Sequence, residues 1–137
     1  MAVLLYFDLM ETYKQAQQPR AIHWIGSSLK DIGKLPLGVQ RTFGTVLALF
    51  ERGINPPKEL DIKKLKGKFE QTFEIRNSSN GEAYRLVYTT RLAGQVLVLH
   101  VFHKKSHSGS EVPREHIERI TARQQVVEQF VKDQIPK

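Results

Sequence analysis

Arginine and glutamate side chains recur at alternate positions along two neighbouring segments of the chain. Glu74 and Arg76 are two residues apart, and Arg85 and Arg91 are likewise separated by an even number of residues. In a β-strand, residues two apart point to the same face of the sheet. A surface that holds arginines and a carboxylate suits a phosphodiester, because guanidinium groups bind phosphate oxygens through paired hydrogen bonds and stay charged.

A histidine can join that surface from the next segment, QVLVLHVFHKK. Either His100 with Lys104 or His103 with Lys105 would share the face, and the strand register decides which, since a one-residue slip exchanges the faces. Histidine acts as a general acid or base near neutral pH, and Glu74 is a second candidate base. Fixed cations can stabilise charge that develops on a phosphate without a metal ion.

The net charge of the chain is concentrated in the same region. The 137 residues carry a formal net charge of +7, and the span from Ile62 to Ser110 holds nine basic and three acidic residues, which accounts for +6 of it. A predicted loop contributes four lysines: Lys63, Lys64, Lys66 and Lys68. Such a field favours an anionic partner, either nucleic acid or an acidic protein. The alternative is a solvated, salt-bridged sheet surface in which Glu74 pairs with a neighbouring arginine.

The composition excludes several classes of protein. Hydrophobic residues make up 40% and charged residues 26%, which is typical of one globular domain. The chain has no cysteine, which excludes disulfides, thiolate metal sites and a cysteine nucleophile. The five histidines lack metal-ligand spacing, so we expect no metal and no cofactor. No apolar run approaches the ~20 residues that span a bilayer, so we expect a cytoplasmic protein without a membrane partner.

The apolar periodicity predicts the elements that position these residues. Residues 1–20 are predicted to be an N-terminal extension, helical over 2–17, with a short strand through 3–7 as the alternative. A strand over 21–25 precedes a helix that begins at Ser28, where Asp31 would complete a capping box, and a second helix follows over 37–52.

The second half of the chain alternates with the period of β-strands. Asn80-Gly81 predicts a tight hairpin, and a third strand over 95–103 is apolar on both faces, which indicates cover on both sides. Pro113 is well placed in the first turn of a last helix. The prediction is an α+β fold: a small twisted antiparallel sheet, formed by the N-terminal strand and a three-stranded meander, with a helical hairpin on one face and a C-terminal helix.

Three motifs follow one another along the chain. They are the segment from His23 to Asp31, the pattern Tyr84-Arg85-x-x-Tyr88, and LHVFHKKS, Leu99 to Ser106, which is followed by Gly109 and Pro113. In this order they resemble the RelE/ParE toxin superfamily, and more closely its HigB-like, phage-derived branch of type II toxin–antitoxin toxins. The first motif is similar to that branch's strand and first helix, the second is similar to its second meander strand, and LHVFHKKS is the most specific match.

The resemblance implies that residues 21–137 form a RelE-like toxin domain and act as a ribosome-dependent endoribonuclease that cleaves mRNA and inhibits translation. The 2′-hydroxyl before the scissile phosphate would attack it, leaving a 2′,3′-cyclic phosphate, with no metal. The implied catalytic residues are Arg85 at the phosphate, His100 (or His103) as acid or base, Glu74 as a second base, and Lys104. The implied RNA- or ribosome-binding residues are Lys63, Lys64, Lys66, Lys68, Arg76, Arg91 and Lys105.

The resemblance also implies partners. These are the ribosome, its mRNA and a cognate antitoxin, expected to be a small helix-turn-helix protein. Two alternatives remain at this point: a ParE-like toxin that inhibits gyrase and has no RNase activity, and a non-enzymatic phage-derived binding protein.

Overall fold

The computed structural model describes residues 19–67, 69–105 and 112–134. The helix predicted over 2–17, the rest of the predicted extension up to residue 18, and Lys68 lie outside the described residues. The strands are β1 (Ala21–Trp24), β2 (Asp61–Lys64), β3 (Thr72–Ser79), β4 (Glu82–Thr89) and β5 (Gln95–Lys104). The helices are α1 (Ser28–Ile32), α2 (Leu37–Glu51) and α3 (Arg114–Gln134).

The strands form a single sheet in the order β1-β5-β4-β3-β2. The predicted α+β class, with the helical hairpin and the C-terminal helix, is confirmed. Two features differ from the prediction. β1 pairs in parallel with β5, so the sheet is mixed rather than wholly antiparallel. Lys63 and Lys64, expected in a loop, lie in β2, an edge strand that pairs antiparallel with β3.

The turn and cap chemistry explains where the elements end. Asn80 and Gly81 both have positive φ (53° and 78°), as a two-residue type I′ hairpin requires between β3 and β4. Gly53, with φ of 72°, follows the end of α2, and the N–H of Ile54 donates to the carbonyl of Leu49.

The predicted capping box at α1 is wrong in detail, although the helix itself begins at Ser28. Ser27 occupies the cap position, and its hydroxyl donates to the Asp31 carboxylate at 2.7 Å. Ser28 is buried, and its hydroxyl donates instead to the backbone carbonyl of Val98 on β5. The Ser28 hydroxyl, which the local pattern assigned to the helix cap, is therefore bonded to a residue distant in sequence.

Both faces of the sheet are covered, which is why β5 is apolar on both sides. Phe43, Val46 and Phe50 of α2 pack on the face formed by Leu86 and Val98. On the other face, Ile120 and Val127 of α3 pack on Leu97, Leu99 and Phe102. The C-terminal helix therefore covers the face on which the arginines and the histidine were expected, and only part of that face stays open.

Candidate active site

The register of four strands aligns the predicted residues in two adjacent rows on the α3 side of the sheet. Lys63 lies opposite Glu74, which lies opposite Val87, which lies opposite His100. The neighbouring row contains Asp61, Arg76, Arg85 and Phe102 in the same strand order. The predicted grouping of Glu74 with two arginines on one face is therefore present.

An irregularity in β5 decides which histidine joins this face. Val87 pairs with His100, but the next residue, Tyr88, pairs with Val98, so Leu99 is an extra residue in β5. Such a bulge keeps Leu99 and His100 on the same side of the sheet. Of the two histidine pairs left open by the sequence, His100 and Lys104 face α3. His103 lies on the opposite face, stacked on Tyr84 and bonded to the Glu82 carboxylate.

Glu74 is the centre of a buried ion cluster. It is 3% exposed, and its Oε1 accepts a hydrogen bond from Nε of Arg76 at 2.8 Å, with Nη2 of Arg76 at 2.6 Å. Its other oxygen, Oε2, lies 3.8 Å from Nε of Arg85, which is 7% exposed. That separation permits an ion pair but is too long for a hydrogen bond.

The same two atoms, Glu74 Oε2 and Arg85 Nε, have no hydrogen-bond partner among the described residues. A buried polar atom without a partner costs about 1–3 kcal/mol. Burial lowers the pKa of Arg85, which Glu74 partly opposes, and the guanidinium remains charged at neutral pH. The cluster therefore holds a buried donor and a buried acceptor that have no hydrogen bond to the described residues.

A cleft of about 420 Å³ opens beside this cluster, between the β2 edge of the sheet and the start of α3. Its lining residues are Lys63, Lys64, Leu65, Lys66, Glu74, Arg76, Val112 and Ile117. Four of them are cations, and the one carboxylate is already bonded to Arg76. The cleft is thus suited to attract and hold an anion.

His100 lies outside this cleft, beneath α3. It is 2% exposed, its Nε2 lies 2.8 Å from Nδ1 of His116, and its ring stacks on Phe102. Burial, followed by the charges of His116 and Arg123, lowers the pKa of His100 to about 3. The imidazole is therefore neutral at physiological pH and does not carry the proton that a general acid must donate.

The structure distributes the other predicted residues differently. Arg91 is bonded through Nε and Nη2 to both carboxylate oxygens of Glu128 on α3, at 2.9 and 3.2 Å, so it ties the helix to the sheet and is not a lining residue of the cleft. Lys104 is buried on the α3 side of β5. Lys105 is exposed just after that strand.

Three residues around the site were not predicted. His116 of α3 stacks on Phe102, with 4.0 Å between the ring centroids. Arg123 donates to the carbonyl of Leu99 at 2.7 Å and to the Ser27 hydroxyl at 2.8 Å. Asp61 joins the arginine row from β2. His116 and Arg123 share the helical spacing of Ile120 and Val127, which was the available signal.

Comparison with known protein families identifies the family of the chain. Residues 30–125 match the family described as "Phage derived protein Gp49-like (DUF891)". The match covers well over half of the chain, and the chain belongs to this phage-derived family. The match confirms the predicted phage-derived branch.

A similar solved chain occurs in the crystal structure of the RelBE2 toxin–antitoxin complex from Mycobacterium tuberculosis. The two chains are 22% identical, the alignment covers 64% of this chain and 94% of that one, and the TM-score is 0.43. No curated protein matches the chain significantly.

No helix in the described part of the chain is both long and apolar enough to cross a membrane. No group of three or more His, Asp or Glu side chains within the described ranges is arranged to hold a metal ion.

Proposed function

We propose that the protein is the toxin of a type II toxin–antitoxin system and that it cleaves ribosome-bound mRNA without a metal ion. The observation that carries this proposal is the cleft in which Lys63, Lys66 and Arg76 surround a buried carboxylate, Glu74. Cations bind the RNA backbone, and a carboxylate within reach of a hydroxyl can remove its proton. Family membership supports the toxin class, and the cleft supports RNA as its substrate.

The proposed chemistry is an intramolecular transfer within the RNA. The 2′-oxygen forms a bond to the adjacent phosphorus while the bond from phosphorus to the 5′-oxygen of the next nucleotide breaks. Glu74 accepts the proton of the 2′-hydroxyl, and the departing 5′-oxygen takes a proton from solvent water to become a 5′-hydroxyl. Arg76 and Arg85 stabilise the negative charge that the phosphate develops, as preorganised cations do. The products carry a 2′,3′-cyclic phosphate and a 5′-hydroxyl.

The roles proposed for the histidine and the remaining cations follow their positions. His100 supports the packing of α3 over the sheet and acts as a positioning residue, with Lys104 buried on the same side. Lys63, Lys64 and Lys66 hold RNA or ribosomal phosphates at the cleft. Lys105, exposed beyond β5, can add a contact, as can Lys68. Arg91 has a structural role, because Glu128 occupies its guanidinium.

The domain and partner assignments form part of the same proposal. Residues 21–137 act as the toxin domain, and residues 1–20 as an extension to it. The cognate antitoxin is a small helix-turn-helix protein that neutralises the toxin in the cytoplasm.

A purified translation reaction tests the proposal against its alternatives. We expect the protein to stop synthesis of a reporter while the reporter mRNA is cut, with no effect on DNA gyrase in a supercoiling assay. Inhibition of gyrase with intact mRNA would instead identify a ParE-like toxin. A protein that does neither, and is harmless when overexpressed alone, would be a non-enzymatic binding protein.

A further inference from the structure

A second groove lies on the opposite face of the sheet, beside the end of α2. Its volume is about 650 Å³, within the range of small-molecule sites. Three aromatic rings form a row in it: Phe50 lies 5.2 Å from Tyr88, and Phe73 stacks on Tyr88 at 5.5 Å between centroids with an interplanar angle of 25°. Phe73 is the partly exposed ring of the three, so it offers a face to a ligand.

Cations stand at both ends of this aromatic row. The Arg20 guanidinium carbon lies 5.6 Å from the centre of the Phe50 ring. Lys64 on β2 is the direct cross-strand neighbour of Phe73. None of the described residues that line the groove is acidic, so its field attracts an anion without a competing carboxylate.

Polar groups complete the lining. The Asn55 and Gln95 amides can both donate and accept hydrogen bonds. Tyr88 is 5% exposed, and burial raises its pKa to about 12, against the opposing effect of Arg20. Its hydroxyl therefore stays protonated and neutral across the physiological range. The groove combines a flat apolar surface, amide groups for specificity and flanking positive charge.

We propose that this groove binds a nucleoside monophosphate unit, with the base stacked on Phe73 and the phosphate held by Arg20 or Lys64. Aromatic stacking combined with cations is the usual means by which proteins hold unpaired nucleotides. The two amides can pair with the edge of a base, which presents both donors and acceptors. The unit is either a free nucleotide or one nucleotide of an RNA strand. The site lies on the opposite face of the sheet from the cleft and shares Lys64 with it, but it takes no part in the cleavage chemistry.

The test is calorimetric titration of the full chain with AMP and with ribose 5-phosphate, which has the phosphate but no base. We expect AMP to bind about tenfold more tightly, which lies within the range that the stacking of one base contributes. Phe73→Leu keeps an apolar side chain and should weaken AMP binding by about tenfold without changing the binding of ribose 5-phosphate. Arg20→Gln should weaken both ligands, and it alters a residue at the rim, so folding is retained.

Arg41→Gln is the matched control, because Arg41 is exposed on α2 and is not among the residues that line the groove. It should leave both affinities unchanged. Lys66→Gln, in the cleft, should impair mRNA cleavage and leave AMP binding intact, so failure of one proposal is distinguishable from failure of the other. Lys64 is not used, since it lines both cavities.

The nucleotide unit could come from a free nucleotide or from a nucleic acid strand. Titration of the Lys66→Gln variant with an oligodeoxynucleotide separates these two sources, because an oligodeoxynucleotide has no 2′-hydroxyl and cannot be cleaved. Tighter binding than AMP, lost in Phe73→Leu, identifies a nucleic acid strand, whereas equal or weaker binding identifies a free nucleotide. The proposal is overturned if AMP binds no better than ribose 5-phosphate, or if neither Phe73→Leu nor Arg20→Gln alters AMP binding. It is also overturned if an acidic aromatic peptide binds at this site more tightly than AMP.

Discussion

The Nε2 atom of His100 lies 2.8 Å from the Nδ1 atom of His116, so one imidazole donates a hydrogen bond to the other across the contact between β5 and α3. This bond joins the C-terminal helix to His100, the histidine that the sequence suggested for catalysis. We expect acid to weaken this contact between helix and sheet.

Stability should fall as the pH drops from 7.5 to 5. The pKa of His100 is lowered to about 3 in the folded protein, and that of His116 is lowered as well, both chiefly by burial. In the unfolded chain the histidines have their ordinary pKa of about 6.5, so below this pH the unfolded chain binds more protons than the folded protein. Lowering the pH therefore favours unfolding. For His100 alone, we expect a loss of about 2 kcal/mol in the free energy of unfolding over this interval. Urea unfolding at each pH measures it.

His100→Gln provides the comparison for that measurement, because glutamine cannot be protonated in this range. The variant should show a shallower decline with pH than the parent protein. An equally steep decline in both proteins would contradict the assignment of the acid sensitivity to His100.

Glu74→Gln should abolish RNA cleavage and destabilise the fold. The amide oxygen can still accept from Arg76, but the charge that balances two arginines is lost. Removing one partner of a buried ion pair typically costs about 3 kcal/mol or more. Chemical unfolding and an mRNA cleavage assay report the two effects separately. Glu51→Gln, at the exposed end of α2, is the control and should change neither stability nor cleavage. A Glu74→Gln protein that is as stable as the parent but inactive would contradict the structural role of Glu74 and leave only its chemical role.

Lys63→Gln combined with Lys66→Gln should reduce the salt dependence of binding to single-stranded RNA. Each lysine that neutralises a phosphate releases counterions, and its loss lowers the slope of log K against log salt by about 0.7. Binding titrations at several salt concentrations measure this slope. Lys34→Gln, which changes an exposed lysine in the loop between α1 and α2, is the control. An unchanged slope in the double variant would show that the cleft is not part of the RNA-binding surface.

Arg91→Ala should loosen α3 while leaving the RNA salt dependence unchanged. Its guanidinium forms two hydrogen bonds to Glu128, and both side chains are partly exposed. A double-mutant cycle with Glu128→Ala should give a coupling of about 0.5–1 kcal/mol, somewhat above the exposed Arg114–Glu118 pair as the comparison cycle. A smaller salt dependence of RNA binding in Arg91→Ala would instead show that Arg91 contacts RNA.

The parts of the fold with local signals could be predicted from the sequence. Asn80-Gly81 fixed the hairpin, and the alternation of Phe73, Glu74 and Ile75 fixed which side chains share a face. These features depend on residues close in sequence, so their periodicity carries the information.

The parts that were not predicted depend on contacts distant in sequence. The parallel pairing of β1 with β5, the edge pairing of β2 and the bulge at Leu99 are decided by tertiary packing. The sequence predicts a C-terminal helix, but it does not show which face of the sheet that helix covers. Its packing over His100 is therefore the main difference between the expected open cationic face and the narrower cleft observed.

The central claim is that the basic cleft cuts mRNA, and mapping of mRNA ends in a purified translation reaction tests it most directly. With the parent protein, we predict new ends within ribosome-occupied codons, each carrying a 2′,3′-cyclic phosphate, and their loss when the nucleotide before the cut is 2′-deoxy. Lys63→Gln with Lys66→Gln should reduce these ends, while Lys34→Gln should not. Intact mRNA in a reaction whose translation is inhibited would contradict the claim.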